Sequence, residues 1–98
     1  MKLIITIVNQ GYCDELMSAA RTAGAGGGTI IDARGTGTPE DATFFGIHLA
    51  PEKEMLLIVA SNEDTPSIVN AIKNQPALNE RGAGIVFTLN IEDFVKLT

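Results

Sequence analysis

The chain has 98 residues, 45% of them hydrophobic and 19% charged, with a formal net charge of −5. That length suits a single domain, residues 1–98, and leaves little room for a second. An acidic chain lacks the clustered Lys and Arg that neutralise a phosphate backbone, so no nucleic-acid partner is expected, although one nucleotide would need only a local pocket.

Residues 2–8 are rich in Ile and Val and read as a strand. Their apolar run is too short to cross a bilayer, and no small-residue cleavage site follows, so direct membrane insertion is not expected. Helical spacing follows over residues 11–23, with Leu16, Met17 and Ala20 on one face and Cys13 and Ala23 beside it. Asp14 and Glu15 fall in its first turn, where the helix dipole favours them, and Gly24 is a fitting stop. A second strand is read over 29–35, and Gly35 to Asp41 is a loop by composition.

Phe44, Phe45, Ile47 and Leu49 suggest a short extended piece. Residues 51–54, Pro-Glu-Lys-Glu, read as polar punctuation, and the apolar run from Met55 to Ala60 reads as a central strand. Asp64 or Thr65 can cap a second helix, with Pro66 near its first turn and Ile68, Val69 and Ile72 on its apolar face. Residues 73–84 read as a loop and Ile85 to Ile91 as the last strand. In the final residues, Phe94 and Val95 are expected to pack back in a terminal turn.

The order β-α-β-β-α-β predicts an α+β, ferredoxin-like domain, a four-stranded antiparallel sheet with two helices on one face. The other face must be solvated or covered. Leu3 to Val8 and Met55 to Ala60 are apolar almost without alternation, as in strands buried on both faces. The open face is therefore expected to be an oligomer interface.

Gly24, Gly26, Gly27 and Gly28 do not make a phosphate loop: they follow a helix, precede a strand, and lack the Gly-Lys-Ser/Thr ending. His48 and Cys13 are the only His and Cys residues, too few for a metal site, and none is expected. A lone cysteine closes no disulfide within the chain, which fits a cytoplasmic setting. No nucleophile–base pair stands out, so neither catalytic residues nor enzyme activity is expected. Glu40, Asp41, Glu52 and Glu54 read as solvated loop carboxylates. Gly35 and Gly37, and again Gly82 and Gly84, either bring bare N–H groups close to a ligand or serve ordinary turns; both readings stay open.

Gly27 to Gly37, Leu49-Ala50-Pro51 leading into Met55 to Ala60, and Gly82 to Phe87 together resemble the PII signal-transduction (nitrogen regulatory protein P-II) family. Order and spacing carry the likeness over the whole chain. The resemblance implies a T-loop-like segment at about 36–53 and a B-loop-like segment at about 76–84. It implies a homotrimer with adenine nucleotides in clefts between subunits, and a T-loop that docks on a target such as a membrane transporter or metabolic enzyme. Residue by residue, Ile7 and Thr29 would face the adenine, and Gly35, Gly37, Gly82 and Gly84 would approach ribose and phosphates. Phe44 and Phe45 would be the partner-docking pair, unless they pack into the trimer.

The chain also departs from the family pattern. The B-loop lysine falls on Ile85, and the two C-terminal arginines fall on Lys96 and Thr98. The glutamine and lysine of 2-oxoglutarate binding fall on Pro39 and Glu52. Fewer charge-assisted phosphate contacts imply weaker ATP binding. No tightly bound cofactor is expected, and ADP or AMP suits the site better than Mg-ATP. The only tyrosine, Tyr12, lies outside the T-loop, which leaves that loop no tyrosine to modify. The alternative is a constitutive trimeric interaction module without nucleotide sensing.

Overall fold

The computed structural model describes residues 1–36, 52–76 and 84–98, together with the backbone of Thr43–Phe44 and Ile47–His48. The elements run β1 (Lys2–Asn9), α1 (Cys13–Thr22), β2 (Thr29–Arg34), β3 (Thr43–Phe44), β4 (Ile47–His48), β5 (Glu52–Ala60), α2 (Thr65–Lys73) and β6 (Gly84–Asn90). Four strands form one antiparallel sheet in the order β2-β5-β1-β6. β1 and β2 therefore run parallel with β5 between them, as two interleaved βαβ halves require. The fold is the expected ferredoxin-like one.

The pleat sends alternate residues to opposite faces. Ile4, Thr6 and Val8 of β1, with Leu56, Ile58 and Ala60 of β5, lie on the helix-covered face and are buried. Leu16, Met17 and Ala20 of α1 and Ile68 and Ile72 of α2 close over them. Gly28 sits where a Cβ would come within 2.7 Å of the Met17 sulfur, so a larger residue there would force the side chains under α1 to shift. Gly24 adopts φ +118°, the left-handed turn that ends the first helix. The glycine-rich stretch thus works in a turn and in packing.

The Ser67 hydroxyl donates to the Ala23 carbonyl at 3.1 Å, tying the end of α1 to the start of α2. Neither helix is capped by its own N-cap side chain. At α2 the work falls to Ser61, whose Oγ accepts from the Asp64 N–H at 3.0 Å and whose carbonyl accepts from the Thr65 hydroxyl at 2.7 Å.

Two expectations are corrected. β5 begins at Glu52, not Met55: Glu52, Lys53 and Glu54 pair with Arg34, Ala33 and Asp32 of β2. The last two residues of the 36–53 segment are thus sheet. Phe94 and Val95 do not pack back; they are 53% and 77% exposed in the single chain. Within the 36–53 segment, β3 and β4 pair antiparallel, which agrees with a short extended piece around Phe44 and Ile47. Phe45, Leu49 and the side chains of Phe44 and His48 lie outside the described residues.

Candidate functional site

The face away from the helices is built from Leu3, Ile5 and Ile7 of β1, Met55, Leu57 and Val59 of β5, Ile31 of β2, and alternate residues of β6. Cross-strand register stacks them in rows: Ile31, Met55, Ile7 and Ile85 in one, Leu57, Ile5 and Phe87 in the next, Val59, Leu3 and Leu89 in a third. Ile85, Phe87 and Leu89 are 60%, 41% and 50% exposed. A contiguous apolar surface of this kind marks an interaction site.

At one end of this face the rows give way to polar residues. Ala33, Lys53 and Asn9 form the outermost row. The Lys53 ammonium donates to Asn9 Oδ1 at 2.6 Å. A depression of about 230 Å³ opens beside it, lined by Ile7, Lys53, Gly84 and Ile85. Gly35 packs on the Lys53 stem: a Cβ there would lie 3.0 Å from Cε. At Gly84 a Cβ would come within 2.5 Å of the Ile7 carbonyl oxygen and 2.6 Å of Val8 Cγ1. Both glycines therefore allow close approach within the chain itself, and Gly84 leaves backbone in the lining of the depression.

On the opposite side of the same strand, Glu54 Oε1 accepts from the Gly11 N–H at 2.8 Å and from the Cys13 N–H at 3.4 Å. A carboxylate from β5 thus takes the amide donors that the start of α1 leaves open. Cys13, fully buried below it, has its thiol pushed up to about 12 from an ordinary 9.0, by burial first and by the Glu54 carboxylate second. It is a core side chain and not a nucleophile.

The sequence-derived site residues divide as follows. Ile7, Gly35 and Gly84 meet around Lys53. Thr29 opens β2 on the same face but pairs with Leu57, one row further along the sheet than Ile7. Lys96 is exposed in the segment after β6. Gly37 and Gly82 lie outside the described residues. Lys53 and Glu54 were missed as site residues, because a Glu-Lys-Glu run reads as solvated. One signal pointed to Glu54: Tyr12 precedes Cys13 where a Ser, Thr, Asp or Asn cap would be expected, so α1 needs an acceptor from elsewhere.

The family model described as nitrogen regulatory protein P-II matches residues 1–98. The chain belongs to the P-II family. It is 27% identical to nitrogen regulatory protein P-II 2 of Methanothermobacter thermautotrophicus, over 99% of this chain and 89% of that one. It is 26% identical to nitrogen regulatory protein P-II of Rhizobium meliloti, over 99% of this chain and 91% of that one. As a P-II chain it is a regulatory protein. Among the described residues, no helix is long and apolar enough to cross a membrane.

Proposed function

We propose that this P-II chain is a non-enzymatic, cytoplasmic regulator that binds an adenine nucleotide at clefts between the subunits of a homotrimer. The nucleotide is AMP or ADP in preference to Mg-ATP. Its binding alters how the 36–53 segment, with Phe44 and Phe45, engages a target protein such as a membrane transporter or metabolic enzyme. Neither a nucleic acid nor a resident metal enters this reading.

The observation that carries it is the open sheet face with the depression at its end. The apolar rows from Leu3 to Leu89 supply surface that a second and third copy can bury, at roughly 25 cal/mol per Å². The reading is supported by Ile7 and Gly84, which line that depression with Lys53, on whose stem Gly35 packs, at the end of the face where a cleft between copies would lie. Thr29, one row away, and Lys96, exposed after β6, do not line the depression in one chain and would reach it from a neighbouring copy.

The test is a thermal-shift series with AMP, ADP, Mg-ATP, cyclic nucleotides, bicarbonate and 2-oxoglutarate, with molar mass measured by light scattering. A ligand at 100 times its dissociation constant adds about 2.7 kcal/mol of stability. The expected result is a trimer stabilised by AMP or ADP more than by Mg-ATP. A trimer that no nucleotide stabilises would replace the sensor with the constitutive interaction module, and a monomer would sink the cleft altogether.

A further inference from the structure

We infer that the helix side of the sheet carries a separate binding site, under the end of α2, which takes a small organic carboxylate. It lies across the sheet from the depression beside Lys53 and does not depend on the nucleotide reading.

The site is a cavity of about 170 Å³ between the end of α2 and the start of β6. The register makes its floor: Thr6 pairs with Val86 and Val8 with Gly84, all on the helix side of the pleat. Ile72 and Lys73, from the last turn of α2, stand over that floor. Gly84 brings no side chain, which leaves one corner of the floor unfilled. An apolar cavity of about 150 Å³ is enough to hold benzene, so a body of about four to six carbons fits here.

The lining has two polar side chains, Thr6 and Lys73. Thr6 is 1% exposed, and its hydroxyl has no hydrogen-bond partner among the described residues. Lys73 is exposed and makes no hydrogen bond or ion pair. A threonine hydroxyl turns to suit its partner, and an ammonium only donates. The group that accepts from both is an ionised carboxylate, which is an acceptor alone.

Among the described residues, no carboxylate lines the cavity. Glu54 pairs with Val8 from the neighbouring strand, but its Oε1 is held by the Gly11 and Cys13 amides at the start of α1. The remaining walls are apolar: Val8 and Ile72 are fully buried, and Val86 packs against the core. An inorganic anion would use Lys73 and waste these walls. A hydrocarbon would use the walls and leave the Thr6 hydroxyl unpaired. A short-chain carboxylate uses all of them.

The experiment is a titration of the full chain, followed by amide nitrogen–proton correlation spectra, with isovalerate, isoamyl alcohol and inorganic phosphate. Wild type is compared with Lys73→Met, Lys73→Arg and Thr6→Val, and circular dichroism melts confirm that each is folded. We expect isovalerate to shift the Thr6, Val8, Ile72 and Lys73 amides and to bind in the millimolar range, as suits so small a ligand. The alcohol should bind more weakly, and phosphate should leave these amides unmoved. Lys73→Met should weaken isovalerate about 5-fold, the scale of an exposed ion pair, and leave the alcohol unchanged. Lys73→Arg should recover the loss. Thr6→Val should weaken isovalerate about 10-fold, the scale of a hydrogen bond to a charged group.

Equal affinity for the acid and the alcohol would overturn the inference, and so would isovalerate binding that neither Lys73→Met nor Thr6→Val weakens. Shifts confined to Ile7 and Lys53 would put the ligand on the open face instead. No shift at any of these amides would leave the cavity without a ligand of this class.

Discussion

The two faces of the sheet are made of the same kinds of residue and have opposite fates. On one, Ile4, Val8, Leu56 and Ile58 are wholly buried beneath α1 and α2. On the other, Leu3, Ile5 and Ile7 are half-covered, and Ile85, Phe87 and Leu89 stand largely open. Apolar composition therefore does not say which face is the core of the chain. What differs is the polar dressing at the ends: Glu54 serves the helix side and Lys53 the open side. Under the trimer proposed above, the open face is a second core whose other half a neighbouring copy supplies.

That contrast can be broken most directly at Ile5, which lies in the central strand between Leu57 and Phe87. Ile5→Asp is expected to reduce the molar mass in light scattering to that of one chain while its circular dichroism stays native. An unchanged mass would mean that the open face is not the joint between copies. On the covered face, Leu56→Ala should cost about 2–5 kcal/mol in denaturant unfolding. A loss below about 1 kcal/mol would contradict its complete burial.

The covered face also holds its own flaw. The Thr6 hydroxyl is buried and has no hydrogen-bond partner among the described residues. Thr6→Val should raise stability by about 1–2 kcal/mol, since it removes a polar group that gave up water for nothing. Destabilisation would reveal a partner for that oxygen.

The smallest effect is a slope. The folded Cys13 thiol is raised above its unfolded value, so its contribution to stability is full below pH 9.0 and is lost as pH climbs towards 12. By pH 10 the decline should be about 1 kcal/mol. Unfolding of Cys13→Ala over the same range should lack this component, and equal slopes would place the thiol in contact with water.

The architecture was legible because β-branched runs and helical spacing agree at every element, from Ile4 and Ile5 through Ile68 and Ile72. Which parity of β1 faces the helices was not, because Leu3, Ile5 and Ile7 are as apolar as Ile4 and Val8. The start of β5 was hidden for a related reason. Glu52, Lys53 and Glu54 are polar, yet all three pair into the sheet and the Lys53 and Glu54 side chains find partners there, and local composition reports solvent only where nothing else supplies a partner. Phe94 and Val95 misled in the opposite sense: they are apolar, but one chain offers them no cover. At the site, Ile7, Gly35 and Gly84 were found through resemblance, whereas Lys53 emerges only from the register.

Arg34 and Glu52 are cross-strand partners, and they bracket the residues between β2 and β5. The two ends of that segment are thus held one strand spacing apart by the sheet, whatever lies between. The entropy of closing a chain between fixed ends grows only with the logarithm of its length, so doubling the segment costs about 0.6 kcal/mol. Here, insertion and deletion are nearly free. The scaffold can thus carry segments of different length between residues 34 and 52 without retuning its own strands.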